Sequence, residues 1–425
     1  MIVLLALLSL PDDWPMWGGR PDRNMVSAEK NLPAAWPKDG GKVLRWTARL
    51  GDHTYGNPVV AGGRVYIGTN NGQPRDIAAA GDKGVLMCFS EKDGAFLWQA
   101  VHDKLPGGDV EDFNGIGICS TPCVAGGRVY YVSNRAELVC REAADGKVAW
   151  ILDLKKDLGV FLHQAAASSP LVHEGRVFVH TGNGTHLETK KVKAPEAPSF
   201  IAVDAASGKV VWKDASPGAD ILNGQWSSPA VAGGRVVFAG GDARLYAFEA
   251  ATGKKLWTFE APKTQGNNFV STPAIAGTRV IVATGQDPEA GTKPGCLLAV
   301  DLQSGKELWR AEGEAFGCAI STVAVDGGLL YATELQGVLS CRDVETGKSL
   351  WSHDLLSLVW GSPLVADGKV YVRNADGEVV IFQAGREKKR LSKNTLPGLS
   401  HGTCVAANGA LYVAGDKALY ALRAE

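Results

Sequence analysis

DAASGKVVW, residues 204–212, is the clearest copy of the pattern that decides the fold of this 425-residue chain. The pattern Asp-x-x-(Thr/Ser/Asp)-Gly-Lys-x-x-Trp returns with few changes, and successive tryptophans lie 42 to 62 residues apart. These tryptophans are Trp46, Trp98, Trp150, Trp212, Trp257, Trp309 and Trp351. A repeat of this length holds four short strands, which is one blade of a β-propeller.

A second pattern marks the beginning of each repeat, where a hydroxyl or amide residue is usually followed by proline. The eight starts are Asn57, Thr121, Ser169, Ser228, Thr272, Thr322, Ser362 and Thr403. Apolar runs such as 235–238 and 245–248 indicate strands buried on both faces, and Thr-Gly-Lys is typical of a hairpin turn. We therefore predict an all-β fold, an eight-bladed β-propeller with four-stranded antiparallel blades.

The ends of the chain predict how the ring closes. The eighth repeat stops at Glu425 before any tryptophan strand, whereas residues 41–46 match the missing strand. An N-terminal strand in the last blade would join the termini and remove exposed edges. We assign residues 41–425 to the propeller, 11–40 to an extended N-terminal segment, and 1–10 to a signal peptide. No Lys or Arg precedes the apolar run of that signal peptide, and a truncated start would account for the missing basic residue.

Composition narrows the classes of partner. The formal net charge is -1, and Lys and Arg are scattered singly, so no basic stripe is available for nucleic acid. The apolar run 1–10 is too short to span a bilayer, and we expect no transmembrane span. These features predict an exported monomer, periplasmic or secreted, that does not bind nucleic acid.

The tryptophan repeat resembles the docking motif of the PQQ-repeat propellers, named after pyrroloquinoline quinone, over about residues 41–425. That family includes quinoprotein alcohol dehydrogenases and the BamB-type propeller lipoprotein of outer-membrane protein assembly. Residues 14–24 are similar to the Trp-Pro-x-(Phe/Trp)-x-Gly leader of many exported bacterial proteins with this propeller. The resemblance implies that each repeat tryptophan stacks on the next blade and buries roughly 150 to 250 Å². Blade seven has Arg386–Arg390 where its turn and tryptophan should be, and we expect it to be the least tightly packed.

The cysteines suggest packing rather than chemistry. Cys88, Cys140 and Cys341 share one repeat position, which holds Ala in other blades, so we expect a small buried slot. Cys119 and Cys123 are four residues apart on one extended strand, roughly 13 Å, and cannot bridge each other. A disulfide between blades remains open for an exported protein, although we favour free thiols.

Candidate binding residues lie in the loops that lead into the innermost strand of each blade, which we call the mouth loops. In a propeller these loops open around one end of the central channel, the mouth face, where binding residues are usually found. The candidates are His53, Tyr55, Asn57, Glu111, Asp112, Asn114, His163, Gln164, Asn223, Gln225, Trp226, Asn267, Asn268, Phe269, Trp360 and His401. Three long loops, 69–83, 182–199 and 285–295, are expected to build up the same face.

Two functions from different classes follow. We favour a non-catalytic scaffold that binds a protein, peptide or glycan at the mouth face and needs no cofactor. The alternative is a dehydrogenase for an alcohol or sugar that depends on PQQ and calcium, with Trp226 or Trp360 as the floor and Glu111, Asp112 and Asn114 around calcium. The mouth loops contain almost no Arg or Lys for the three carboxylates of PQQ. His53, His163 and His401 are the residues considered for a metal, but their spacing shows no convergence, and we assign no metal site.

Overall fold

The computed structural model describes residues 13–38, 40–262, 268–286, 294–399 and 401–424. Within them, eight four-stranded sheets form the eight blades, and every pairing within a sheet is antiparallel. The prediction of an all-β, eight-bladed propeller is confirmed. Residues 1–10, predicted as a signal peptide, lie outside the described residues.

The blades follow one another along the chain. Blade one comprises β2 (Val59–Ala61), β3 (Arg64–Asn70), β4 (Lys83–Ser90) and β5 (Phe96–Asp103). Blade two comprises β6 (Cys123–Ala125), β7 (Arg128–Val132), β8 (Glu137–Glu142) and β9 (Val148–Asp153), followed by α1 (Leu154–Leu158). Blade three comprises β10 (Leu171–His173), β11 (Arg176–His180), β12 (Phe200–Asp204) and β13 (Val210–Asp214). Blade four comprises β14 (Ala230–Ala232), β15 (Arg235–Ala239), β16 (Arg244–Glu249) and β17 (Lys255–Glu260).

The second half of the ring repeats this order. Blade five comprises β18 (Ala274–Ala276), β19 (Arg279–Ala283), β20 (Cys296–Asp301) and β21 (Glu307–Glu312). Blade six comprises β22 (Ala324–Asp326), β23 (Leu329–Thr333), β24 (Val338–Asp343) and β25 (Ser349–Asp354). Blade seven comprises β26 (Leu364–Ala366), β27 (Lys369–Arg373), β28 (Glu378–Gln383) and β29 (Arg390–Thr395). Blade eight comprises β30 (Val405–Ala407), β31 (Ala410–Ala414), β32 (Ala418–Leu422) and, as its outermost strand, β1 (Leu44–Arg49). The N-terminal strand therefore closes the ring.

Each repeat tryptophan joins its blade to the next one. The indole nitrogen of Trp212, on the outermost strand of blade three, donates to the Ala250 carbonyl of blade four at 3.1 Å. Its ring lies over Gly253, where an added Cβ would come within 2.6 Å of it, and Gly253 has a φ of +74°. The other six tryptophans, Trp46, Trp98, Trp150, Trp257, Trp309 and Trp351, donate to the corresponding carbonyl of the blade that follows. Glycine is needed in the turn because it leaves room for the ring and adopts positive φ without strain.

The N-terminal segment is built into the propeller. Residues 14–27, which we call the leader, circle the axis in the order of the blades and bond to the exposed edges of the innermost strands. The same central N–H of six innermost strands donates to it: Val60 to Trp14, Val124 to Pro15, Val231 to Pro21, Ile275 to Asp22, Val325 to Asn24 and Val365 to Met25. The leader thus covers strand edges that would otherwise be unpaired at the axis.

Blade seven differs from our expectation of loose packing. Ser392 stands opposite Ile381, the register that tryptophan occupies in other blades, such as Trp351 opposite Cys341. The chain after the leader runs past this strand: Ser392 donates its hydroxyl to the Ala34 carbonyl, and the backbone N–H of Trp36 donates to the Asn394 side chain. Leu32 and Trp36 are buried in the core cluster shared by blades six, seven, eight and one. The N-terminal segment therefore supplies the packing that the missing tryptophan would give.

All eight cysteines are described, and all are free. Cys88, Cys140 and Cys341 are buried beside the docking tryptophans. None of the described helices is long and apolar enough to cross a membrane.

Candidate functional site

The mouth loops surround a cavity of about 280 Å³ on the propeller axis, which we call the axial funnel. Residues from seven blades and from the leader line it: Trp17, Tyr55, Asn57, Phe113, Ile116, Cys119, Thr121, Gln164, Ala165, Ala167, Ser169, Trp226, Ser228, Val270, Thr272, Ile320 and Trp360. Of the residues predicted for the site, the structure brings together here Tyr55, Asn57, Gln164, Trp226 and Trp360.

A ring of hydrogen bonds encircles the lower wall of the axial funnel. In this ring, the backbone N–H of a blade-start residue donates to the side-chain oxygen of the next start, as from Thr121 to Ser169 at 3.0 Å and from Ser169 to Ser228 at 2.9 Å. Seven of the eight links follow this rule, and the ring closes from Thr403 to the amide oxygen of Asn57 at 2.7 Å. The start pattern in the sequence therefore encodes the bonds that hold the blades together at the axis.

The leader forms the floor of the axial funnel. The Trp17 side chain enters from below, and its indole nitrogen donates to the Thr322 hydroxyl, a member of the ring, at 3.1 Å. Arg23, which is fully buried, holds the leader in this position. Its guanidinium donates to the carbonyls of Trp17, Ser169, Pro170 and Pro229 at 2.7 to 3.1 Å. Burial lowers the pKa of Arg23 to about 10, so the group is still charged at neutral pH.

Aromatic side chains from neighbouring blades form the upper walls. The rings of Tyr55 and Trp360 are 6.3 Å apart, and His401 lies against both, at 4.7 and 4.9 Å between ring centroids. On another side Trp226 packs against His163 at 5.6 Å. His163 and His401 thus support the walls, and the Nδ1 atom of His401 lies 3.3 Å from an oxygen of Asp416.

Several predicted residues instead hold the loops in place. Asp112 is buried, accepts from the backbone N–H of Leu105 and pairs with Lys104, and Glu111 pairs with Lys155. Gln225 is buried and makes three hydrogen bonds, with Asn183, Ser199 and Gly241. Phe269 belongs to a core cluster, and Asn268 bridges to Gly285 and Gly224.

The remaining predicted residues do not line the axial funnel. His53 is exposed and lies 3.2 Å from Asp52, Asn114 is exposed, and Asn223 accepts a backbone hydrogen bond from Thr185. Asn267 lies outside the described residues. Among those that are described, no group of three or more His, Cys, Asp or Glu side chains is arranged to hold a metal ion.

Sequence reasoning missed the apolar part of the lining. Phe113, Ile116, Val270 and Ile320 sit in mouth loops, but an isolated apolar residue in a loop carries no pattern that marks it as lining. The sequence marked Trp17 only as part of the leader motif and did not indicate that it lines the site. Its place on the axis depends on contacts more than 300 residues away along the chain, as in its bond to Thr322.

The axial funnel does not fit PQQ. A tricarboxylate needs cationic clamps, and within the described part of the chain its lining contains no Arg, Lys, Asp, Glu or His. The Cys119 thiol in the wall is neutral, because burial raises its pKa to about 12. The carboxylates predicted to hold calcium, Glu111 and Asp112, are paired with Lys155 and Lys104.

Comparison with known proteins identifies the family to which the repeats belong. A family model described as outer membrane protein assembly factor BamB matches residues 82–194, 189–316 and 294–388. Outer membrane protein assembly factor BamB of Yersinia pestis is 26% identical over 315 residues, which cover 72% of this chain and 71% of that protein.

Solved structures share the fold. BamB from Moraxella catarrhalis superposes with a TM-score of 0.61 at 17% identity, over 89% of this chain and 96% of that one. The quinohemoprotein alcohol dehydrogenase of Comamonas testosteroni superposes with a TM-score of 0.68 at 16% identity, over 96% and 80% of the two chains. Identities this low show the fold alone. Because the family model matches more than two thirds of the sequence, this chain belongs to the PQQ-repeat family of outer membrane protein assembly factor BamB.

Proposed function

We propose that the protein is an exported, non-catalytic scaffold that binds a partner protein at its mouth face and works in outer-membrane protein assembly. The family membership supports this role, since the matched relatives are named as assembly factors. Placement in the periplasm is part of the same proposal. It is supported by the relatives' role at the outer membrane and by the signal-like sequence of residues 1–10.

The observation that carries the proposal is a set of exposed apolar side chains in the loops of the mouth face, next to the axial funnel; most other exposed apolar side chains lie on outermost strands. Five large hydrophobic residues in the mouth loops are exposed, and the first of them also lines the axial funnel: Phe113, Leu222, Leu356, Leu358 and Leu399. Leu356 is 84% exposed. Among the described residues of the N-terminal segment, 13–38, no large hydrophobic side chain is exposed to this degree. Apolar residues clustered around a concave site are the usual mark of a protein-binding surface.

A peptide-binding measurement tests the proposal. Purified protein is used to select from a randomised peptide library, and the affinity of the selected peptides is then measured for two variants. The mouth variant carries Leu356→Ser and Leu399→Ser. The matched control carries Val211→Ser and Leu308→Ser, two exposed positions on outermost strands. We expect the mouth variant to bind at least about tenfold more weakly, which corresponds to about 1.4 kcal/mol. Equal affinities for both variants would contradict a mouth-face partner.

The catalytic alternative is tested with the same protein. We expect saturating PQQ with calcium to leave the melting temperature unchanged and to support no dye reduction with alcohols or sugars. A raised melting temperature together with dye reduction would overturn the non-catalytic role. Cell fractionation tests export, because recovery of the protein in the cytoplasmic fraction would contradict it.

A further inference from the structure

We infer that the axial funnel is a side-chain pocket that takes one uncharged aromatic residue, presented by the partner protein at a chain end or the tip of a loop. This inference rests on the proposed function and names the chemistry of the group that the mouth face recognises. The site combines a closed floor, walls of aromatic rings and a neutral lining.

The size and shape of the axial funnel set the first limit on its occupant. Its volume of about 280 Å³ is slightly smaller than that of ordinary ligand pockets, which span roughly 300 to 1,000 Å³. Trp17 and the leader close the lower end, so a polymer cannot thread through the axis. An occupant must enter and leave by the mouth, which suits one bulky side chain better than an extended chain.

The walls favour a ring. Tyr55 and Trp360 form one wall, and Trp226 contributes a second from blade four. Aromatic rings gain from offset or edge-to-face contact with a further ring, by roughly 0.5 to 1.5 kcal/mol per pair beyond the area buried. Isoleucine and valine side chains complete the lining at Ile116, Val270 and Ile320. A phenyl, phenol or indole group matches this surface.

The lining disfavours a charged occupant. Its polar groups are hydroxyls and amides, and the Cys119 thiol is protonated. A carboxylate or ammonium group would lose its hydration without gaining an opposite charge, which costs far more than burying a neutral ring. Acidic and basic residues of the partner should therefore stay outside.

The hydroxyl ring disfavours a sugar. Thr121, Ser169 and Ser228 each use an oxygen lone pair to accept a backbone N–H of the preceding blade. The hydrogen of each hydroxyl is available as a donor to one acceptor of an occupant, such as a phenol oxygen. A sugar carries several hydroxyl donors that need acceptors, and burying them unpaired is costly. The occupant is therefore a protein side chain rather than a glycan.

The test is an affinity series with short capped peptides, acetyl-Gly-Xaa-Gly-amide, in which Xaa is Trp, Tyr, Phe, Leu, Glu or Lys. Binding is measured by titration calorimetry or ligand-observed NMR on the whole protein. We expect the three aromatic peptides to bind at least about tenfold more tightly than the Glu and Lys peptides, with Leu between them. Chitooligosaccharide and maltooligosaccharide serve as glycan probes and should not compete.

Variants locate the binding site. Ala167→Trp fills the axial funnel from blade three, and Trp226→Ala removes one wall. Each should weaken aromatic peptides about tenfold or more, whereas the control Leu308→Ala on an outermost strand should not. Because Ala167→Trp risks misfolding, its melting curve is compared with that of wild type, and Trp226→Ala gives the independent answer.

The outcomes separate this inference from the proposed function. If library-selected peptides bind the mouth face but show no aromatic preference and tolerate Ala167→Trp, the pocket inference fails while the scaffold role stands. Oligosaccharide binding that Ala167→Trp abolishes would overturn the aromatic occupant in favour of a glycan. If no peptide from the library binds, the proposed function itself fails.

Discussion

The two ends of the propeller axis are built from the same eight repeats but are finished in opposite ways. At the floor, backbone and buried polar groups of the leader are bonded to the innermost strands. At the mouth, aromatic and apolar side chains are left partly exposed around a cavity. The leader at the floor holds the ring closed, whereas the mouth is the end at which we propose that a partner binds.

The largest expected effect is at the floor. Replacing Arg23 with Met leaves the buried carbonyls of Trp17, Ser169, Pro170 and Pro229 without their donors. Each unsatisfied buried acceptor costs about 1 to 3 kcal/mol before relaxation, so we expect a loss of about 3 to 5 kcal/mol in the free energy of unfolding. Urea unfolding measures it.

The control for Arg23 is Arg20→Met in the same leader, because the Arg20 side chain is 57% exposed. We expect a change within about 0.5 kcal/mol for this exposed site. Equal losses for the two variants would mean that charge in the leader, rather than the bonds of Arg23, stabilises the floor.

A second prediction connects the two ends through Trp17. Its half-buried side chain packs at the floor and donates to Thr322, so Trp17→Ala should cost about 2 kcal/mol and also weaken aromatic peptides. Trp17→Phe keeps a ring but loses the bond, and we expect about 1 kcal/mol. Thermal unfolding and the peptide titration give the two readouts. Normal peptide affinity in Trp17→Ala would show that the floor does not contribute to the pocket.

A third prediction uses pH to test the core beneath the mouth loops. His180 lies among Phe200 and Phe238, and burial lowers its pKa to about 3. His180 is therefore neutral in the folded protein, whereas the same residue in the unfolded chain binds a proton below about pH 6.5. Stability should therefore fall by about 1.4 kcal/mol per pH unit between pH 6.5 and pH 3 on account of this residue.

His180→Phe should remove that part of the slope, as measured by urea unfolding at a series of pH values. The exposed His53, changed to Asn, is the matched control. If His53→Asn flattens the acid limb as much as His180→Phe does, the buried histidine is not its cause.

The smallest effect is expected at the mouth itself. Phe113 is 38% exposed, and Phe113→Ala should change the free energy of unfolding by no more than about 0.5 kcal/mol. The same variant should weaken aromatic peptides, because Phe113 lines the axial funnel. A large loss of stability with unchanged peptide affinity would reverse the roles that we assign to the two ends.

Much of the ring could be predicted from sequence because its signals are local and repeated. The Gly-Lys-x-x-Trp copies mark the outermost strands, and the Ser/Thr-Pro starts mark the innermost ones. The position of Trp46 was enough to predict the closing strand, which pairs with Ala421. Blade seven was harder to predict, since Ser392 breaks the pattern and the segment that packs beside this strand, with Trp36, comes from the other end of the chain.

The candidate site was predicted only in part. Tyr55, Asn57, Gln164, Trp226 and Trp360 line the axial funnel. Glu111, Asp112 and Gln225 look equally suited to binding in the sequence, but their side chains hold loops in place. A polar residue in a loop has the same appearance in sequence whether it faces a ligand or a neighbouring backbone group.

The sequence by itself determined the strands, their number and the way the ring closes, because strand periodicity, turn glycines and docking tryptophans act within one repeat or between neighbours. Only the tertiary structure decided what stands on the axis. There, Trp17, Arg23 and the hydroxyl ring meet through contacts between residues 6 to 346 positions apart. Such contacts depend on the closed circle of blades, which brings every repeat to the same point. The blade starts recur in the sequence, but Trp17 and Arg23 of the leader belong to no repeat.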